Sequence, residues 1–277
     1  ASIHFTYQYA TSFDSLLNKY SAIQTFTGTD YITVKSLADL DYDTKTYNTL
    51  VIQLADADLD NAQIIGFIND NKRIKNVIVA FFGSGKNLSK LNSITAPIIW
   101  ASRPSQVSAF FSAQAIFGGV AITQKLKTAY RPKYPVNSGW TTTKSRLQYT
   151  VPEEVDVNSS SLDNIDNIAN EAIRNQATPG CVVLVAKDGK VIYNKAFGYH
   201  TYDKVQPDKL TDIFDLASMT KVSATTMEAM RVYEEGRLNL DSTIGTYLAM
   251  ARHTNKADLT IREVLEHQSG LIPDIPT

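Results

Sequence analysis

Three uninterrupted apolar runs in the first half of the chain constrain its fold more than any other feature. They cover residues 50–54, 77–82 and 97–101 and consist mainly of β-branched, aliphatic and aromatic side chains. Helix-like stretches separate them, near residues 61–69 and between the second and third runs. Strands that are buried on both faces have this pattern, and repeated strand–helix units form parallel sheets. The pattern therefore predicts an α/β fold for the first module, with a mostly parallel sheet flanked by helices.

The two halves of the chain differ in charge. Residues 1–150 contain 15 Lys and Arg against 9 Asp and Glu, whereas residues 151–277 contain 12 against 19. Residues 123–160 between them contain Pro132, Pro135, Pro152 and Gly139 with many Thr, Ser and Asn residues and have no clear periodicity, as is typical of a linker. We therefore predict a first domain over residues 1–122, a linker over 123–160 and a second domain over 161–277.

The second domain begins with a different pattern. Apolar residues recur on one face of a predicted helix over 162–173, and two apolar runs follow at 181–186 and 191–193. Asp188 and Gly189 lie between these runs, and an Asp-Gly pair favours a tight hairpin turn. The pattern indicates an α+β domain with antiparallel strands.

Composition excludes several classes of function. The net charge is −1 and no run of basic residues occurs, so we expect no nucleic-acid partner. No apolar stretch approaches the roughly 18 residues of a membrane span, which predicts no transmembrane segment. The single cysteine, Cys181, rules out an intramolecular disulfide and favours a small apolar core residue. The four histidines lack zinc-site spacing, so we predict no metal and no cofactor.

A glycine-rich turn after the second apolar run invites comparison with a phosphate-binding loop. Lys86 follows Gly85, but Ala80 and Asn87 occupy the positions where that motif needs glycine and a hydroxyl residue. An ordinary strand-to-helix turn is the better interpretation. A ligand site of unspecified chemistry is still open at the carboxyl ends of the strands, near Asp56, Ser84 and Ser102.

Ser218 and Lys221 form the most informative motif. They are three residues apart at the start of an amphipathic helix, so their side chains project from neighbouring parts of one face. A partly buried lysine in this position can act as a base for the serine proton, and the helix N-terminus offers N–H groups to a carbonyl oxygen. A helix-capping serine followed by a solvated lysine is the alternative interpretation.

The surrounding residues resolve the choice by resemblance. Four segments follow one another in an order that resembles the serine β-lactamase and penicillin-binding protein superfamily. They are the hairpin over 182–197, residues 215–221 (DLASMTK), residues 235–238 (EGRL) and residues 265–271 (LEHQSGL). The resemblance covers about residues 147–277 and is closest to the branch with class C β-lactamases, D,D-peptidases and esterases. It implies that Ser218 is the acyl-forming nucleophile and Lys221 the lysine of the first motif. It also implies that the segment containing His267 is structural.

Two further motifs of that superfamily do not follow Ser218. Tyr-x-Asn or Ser-x-Asn is absent after it, and so is a Lys-Thr-Gly-type motif on a strand, since residues 260–267 are predicted to be helical. We therefore interpret the chain as a fragment with an incomplete second domain and expect these 277 residues alone to be inactive. An unpaired sheet edge there would be a route to oligomers.

The first module resembles the C-terminal α/β sandwich domain of glycoside hydrolase family 3 over about residues 1–122, on runs 77–82 and 97–102 and on residues 109–119. This resemblance implies a bacterial exported hydrolase that joins a β-N-acetylglucosaminidase-like glycosidase to a serine hydrolase. Its substrates would be a small molecule, peptidoglycan or a glycan. The alternative hypothesis is a non-catalytic accessory or glycan-contacting module with a decayed or incomplete Ser-x-x-Lys site.

Overall fold

The three apolar runs form neighbouring strands of one sheet in a computed structural model that describes residues 1–130 and 132–272. The strands of this sheet are β1 (Ser2–His4), β2 (Thr25–Thr27), β3 (Thr49–Ala55), β4 (Asn76–Phe82) and β5 (Ile98–Ala101). Their order is β2-β1-β3-β4-β5, and every neighbouring pair is parallel. The predicted α/β class with a parallel sheet is confirmed.

Helices connect these strands and continue into the second half of the chain. They are α1 (Ala10–Tyr20), α2 (Asp30–Thr33), α3 (Leu37–Asp43), α4 (Ala62–Lys72), α5 (Gln106–Phe117), α6 (Asp163–Arg174), α7 (Thr226–Glu234), α8 (Ile244–Tyr247) and α9 (Ile261–Leu265). The predicted helices near 61–69 and 162–173 correspond to α4 and α6. Residues Gly85–Leu91 form a 3₁₀ helix between β4 and β5.

Both faces of the parallel sheet are buried, as the absence of polar alternation predicts. Leu50, Ile52 and Leu54 of β3 pack into one apolar cluster with residues of α4. Val51 points to the opposite face and packs with residues of α1 and α5. Gln53 shares that second face and is fully buried, and its amide donates hydrogen bonds to Ser2 Oγ of β1 and Asp14 Oδ1 of α1.

A smaller sheet follows in the chain, formed by β6 (Gln148–Tyr149), β7 (Gly180–Lys187) and β8 (Lys190–Gly198) in the order β6-β8-β7. Strands β7 and β8 form the predicted antiparallel hairpin, and β6 pairs in parallel with β8. Asp188 and Gly189 form its turn with φ values of 51° and 72°, as a two-residue hairpin turn requires.

Tyr149 connects the smaller sheet to the helices of the parallel sheet. Its side chain is buried in the cluster that contains residues of α1 and α5, and its N–H donates to Gln114 Oε1 at 2.7 Å. The chain divides into two compact units, Ala1–Asp212 and Ile213–Thr277. The smaller sheet belongs to the first unit, and the domain bounds predicted at residues 122 and 160 stay a prediction.

The second unit has few buried side chains. Among its described residues only Ala251 is buried, and the apolar residues of the predicted helix stripe are at least half exposed: Met219, Val222, Met227, Met230 and Tyr233. In the part of the chain that the structure describes, no helix has the length and apolar character that crossing a membrane requires.

Candidate active site

A sharp turn of the backbone precedes Ser218. Ala217 has a φ of 43°, and its N–H donates to Asp215 Oδ1 at 3.0 Å. A positive φ at a residue other than glycine costs on the order of 1–3 kcal/mol and is found most often at functional positions. The carboxylate of Asp215 holds this strained turn. The three hydrogen bonds that follow, from the N–H groups of Met219, Thr220 and Lys221, begin a helical turn.

Lys221 lies within hydrogen-bonding distance of the serine. Its Nζ donates to Ser218 Oγ at 3.0 Å. Residues Lys221–Thr225 form one π-helical turn before α7, in which Thr226 Oγ1 donates to the Lys221 carbonyl oxygen at 2.9 Å. Single π-helical turns are frequent at functional sites. The contact that the three-residue spacing predicts is present.

The backbone at Ser218 supplies a further group. Its N–H donates to no acceptor among the described residues. The hydrogen bonds of the first helical turn begin one residue later, with the N–H groups of Met219, Thr220 and Lys221. A free N–H beside a nucleophile can donate to the oxygen of a carbonyl that the nucleophile attacks. The hydroxyl, the amine and this N–H are the groups that acyl transfer requires at a first motif.

Both side chains of the pair are exposed in the described structure. Our sequence interpretation calls on a partly buried lysine, and no described residue covers Lys221 to that extent. Desolvation of the amine would therefore have to come from a bound substrate or from residues outside those described. Lys221 Nζ is thus within hydrogen-bonding distance of Ser218 Oγ, but the described residues do not bury the amine.

The segment that ends at Leu271 lies after α9. Thr260 caps this helix: its Oγ1 accepts from the N–H of Glu263 at 3.1 Å, and Glu263 accepts from the Thr260 N–H at 2.8 Å. His267 follows with a φ of 58° and is exposed. The predicted helix over 260–267 is confirmed over Ile261–Leu265, and the structural role of His267 stays a prediction.

The glycine-rich turn of the first module is held by hydrogen bonds to the side chain of Asp56. Asp56 accepts hydrogen bonds from the Ser84 N–H at 3.0 Å and from Asn87 Nδ2 at 2.8 Å. At Gly85 an added Cβ would lie 2.4 Å from the ring of Tyr130, so the glycine is explained by packing. The carboxylate of Asp56 is occupied by the turn itself, and a ligand there stays a prediction, as does any role of Ser102.

The structure brings together three residues that our sequence analysis did not select. His200, Asp208 and Asp212 each place one potential ligand atom within 4.8 Å of the other two. The hydrogen bond from His200 and that from the Lys209 N–H lower the pKa of Asp212. The spacing of the histidines does not reveal this set, because only one of its members is a histidine. Its signal in the sequence is a histidine followed by aspartates after eight and twelve residues.

Comparisons with known proteins concern the second half of the chain. Residues 165–277 match the family model described as Beta-lactamase. "Protein flp" of Staphylococcus aureus (strain NCTC 8325 / PS 47) is 31% identical over 120 residues, which are 42% of this chain and 24% of that protein. A protein of Escherichia coli O157:H7 named "Putative D-alanyl-D-alanine carboxypeptidase" is 31% identical over 155 residues, 51% of this chain and 33% of that protein.

The chain thus spans about a quarter to a third of the length of these relatives. No solved structure matches it significantly. The resemblance predicted for the second module is confirmed in its coarser part, a similarity of residues 165–277 to the Beta-lactamase family model, and Ser218 and Lys221 lie within the matched residues.

Proposed function

We propose that the second module is the acylating part of a serine hydrolase. Ser218 Oγ would attack the carbonyl carbon of a D-alanine-terminated peptide, an ester or a β-lactam, and Lys221 would accept the serine proton. The observation that carries this proposal is the 3.0 Å hydrogen bond between Lys221 Nζ and Ser218 Oγ inside the family-matched segment.

The proposed reaction balances with the groups present. The bond from Ser218 Oγ to the carbonyl carbon forms while the serine proton passes to the Lys221 amine, which must first be desolvated to act as a base. Collapse of the tetrahedral intermediate breaks the bond to the leaving nitrogen or oxygen, which takes a proton from that ammonium. Water then hydrolyses the acyl-enzyme. The unused N–H of Ser218 would stabilise the oxyanion.

The name of the Escherichia coli relative supports a peptide ending in D-alanine as the substrate class. Peptidoglycan contains such peptides, so a bacterial cell-envelope location and export accord with the proposal. Both are part of the proposal, together with a small-molecule or peptidoglycan substrate.

Mass spectrometry tests the acyl-enzyme directly. The protein expressed from its complete reading frame is incubated with a β-lactam and, separately, with a fluorophosphonate, and digested to locate the adduct. We expect one adduct on the peptide that contains Ser218, lost in Ser218→Ala. Ser223→Ala is the matched control, since that hydroxyl donates to the Met219 carbonyl oxygen at 2.9 Å. Equal labelling of Ser218→Ala and the unaltered protein would contradict the proposal.

We further propose that residues 1–277 alone do not turn over these substrates, because two of the three superfamily motifs are absent after Ser218. The same assay on this chain should show no hydrolysis of nitrocefin or of a D-alanyl-D-alanine peptide. Measurable turnover that Ser218→Ala abolishes would refute this part alone. Absence of any adduct on the complete protein would favour the non-catalytic, glycan-contacting alternative.

The assignment of the first module to a family 3 glycosidase is also a proposal. The parallel sheet covered by helices on both faces supports it, whereas the family match at residues 165–277 lies outside that module. Hydrolysis of a nitrophenyl N-acetylglucosaminide by the complete protein is the expected result. No hydrolysis of this or other nitrophenyl glycosides would contradict it without affecting Ser218.

A further inference from the structure

Three side chains meet at the end of the β7–β8 hairpin. His200 follows β8, and Asp208 and Asp212 lie on the loop after it. His200 Nε2 is 2.8 Å from Asp212 Oδ2 and 3.5 Å from Asp208 Oδ1. All three belong to the first compact unit, and none has a part in the proposed acyl transfer.

Asp208 is the unusual member of this cluster. Its side chain is only 4% exposed, it accepts no hydrogen bond from the described residues, and its ion-pair partner is His200, whose Nε2 lies 3.5 Å from Asp208 Oδ1. Its other oxygen, Oδ2, lies over Gly180, where an added Cβ would be 2.2 Å away. A buried carboxylate without donors is unfavourable unless a cation compensates its charge.

His200 is the group that faces both carboxylates. The Nε2 atom of His200 is already in a hydrogen bond with Asp212 Oδ2, which also accepts from the Lys209 N–H at 2.6 Å. One imidazole thus faces two carboxylates, and the charge of Lys209 acts on Asp212, so Asp208 has no cationic partner of its own among the described residues. A divalent cation would change that balance and coordinate the oxygen atoms that lack donors.

The geometry suits a small transition-metal ion. Ligand atoms about 2.0–2.2 Å from a tetrahedral zinc ion lie about 3.3–3.6 Å from one another. The 3.5 Å separation of His200 Nε2 and Asp208 Oδ1 already has this value, and the hydrogen-bonded pair needs to open by about half an ångström. The imidazole nitrogen favours zinc and its neighbours over magnesium or calcium, which prefer oxygen ligands alone.

We propose that His200, Asp208 and Asp212 form a binding site for a divalent first-row transition metal, with Zn²⁺ as the best fit. The three side chains supply one nitrogen and two oxygen ligands and leave the fourth position to water. The Lys209 N–H orients the Asp212 carboxylate, and Gly180 leaves room for Asp208. The ion would join the end of β8 to the loop over residues 208–212.

Metal binding by the tag-free protein tests this site. Metal-free protein is titrated with ZnCl₂ by calorimetry and with CoCl₂ by visible absorption, at pH 7.5. We expect one ion to bind per protein molecule. Bound Co²⁺ should show the visible absorption band that indicates low-symmetry coordination. Binding should weaken at least about 100-fold in Asp212→Asn and His200→Gln, since even residues outside the ligand set change metal affinity 10–100-fold. Asp203→Asn, an exposed aspartate of the same loop region, should bind as the unaltered protein does.

Asp208→Asn separates a metal site from an ion pair. The substitution removes a buried charge that shares its only described partner, His200, with Asp212, so without metal the melting temperature of the variant should equal or exceed that of the unaltered protein. The rise in melting temperature on adding Zn²⁺ should disappear. A lowered melting temperature in the metal-free variant would mean that protonated His200 already pairs with Asp208 and would overturn the proposal. No Zn²⁺ or Co²⁺ binding, or binding unchanged in His200→Gln and Asp212→Asn, would overturn it as well.

Discussion

The close approach of three oxygen atoms to Gly180 leads to a prediction about stability. An alanine Cβ at this position would lie 2.2 Å from Asp208 Oδ2, 2.6 Å from the Tyr199 carbonyl oxygen and 2.7 Å from the Phe197 carbonyl oxygen. Distances below 3.0 Å are not found for real Cβ atoms, so some of these atoms would have to move. Two of them are backbone atoms at the end of β8, where movement breaks strand pairing with β7.

We therefore expect Gly180→Ala to lower the free energy of unfolding by about 1–3 kcal/mol, the usual cost of overpacking a closely packed position. For a unit of roughly 200 residues this corresponds to a decrease of about 3–9 °C in melting temperature. The clash with the backbone is the main contribution, because the side chain of Asp208 could rotate but the two carbonyl groups could not.

Gly66 provides the matched control. It lies inside α4, and an added Cβ there would meet nothing within 4 Å. Gly66→Ala should stabilise the protein by about 0.4–1 kcal/mol, because alanine restricts the unfolded chain and favours the helix. Thermal unfolding followed by far-UV circular dichroism gives both values. Equal melting temperatures for Gly180→Ala and the unaltered protein would refute the described packing around Gly180.

Two further predictions concern the buried polar groups of the first unit. Burial raises the pKa of Asp14 above its ordinary value of 3.8, although Ser2 and Gln53 donate hydrogen bonds to it. Because the pKa of Asp14 is higher in the folded than in the unfolded protein, its contribution to stability is fully present below the unfolded-state pKa. That contribution is lost as the pH rises through the folded-state pKa. Urea unfolding at pH 4 and pH 7 should therefore show a gain of Asp14→Asn over the unaltered protein that is larger at pH 7. An equal difference at both pH values would contradict the assignment. Gln114→Leu should destabilise by about 1–3 kcal/mol in the same assay at pH 7, because it leaves the buried N–H of Tyr149 without its acceptor; an unchanged midpoint would show that this hydrogen bond is unimportant.

The parts of the fold that could be predicted depend on short-range patterns. The apolar runs of β3 and β4 and the Asp188–Gly189 turn are properties of consecutive residues, and their structures follow from strand burial and turn geometry. Strands β1 and β2 have only three residues each, which is too short to show such a pattern. Their positions depend on pairing with partners far along the chain. Their position within the sheet required the structure.

Tyr149 illustrates the same limit in the predicted linker. It lies in a segment whose composition is typical of a loop, yet its ring is buried beside α1 and α5, and its hydroxyl donates to the Lys19 carbonyl oxygen at 2.9 Å. That contact joins residues 130 positions apart. Composition describes the flexibility of the chain around a residue and contains no information about which distant surface that residue meets.

The two candidate sites differ in how far sequence reasoning could reach. The Ser218–Lys221 contact arises within one helical turn, so the spacing places both side chains on one face, where the 3.0 Å hydrogen bond can form. The environment that would desolvate the amine comes from distant residues or substrate, and a motif cannot specify it. The cluster of His200, Asp208 and Asp212 instead needs the loop after β8 to turn back over Gly180. Its ligand distances depend on that turn, which makes the metal titration a direct test of the folded loop rather than of the residue spacing.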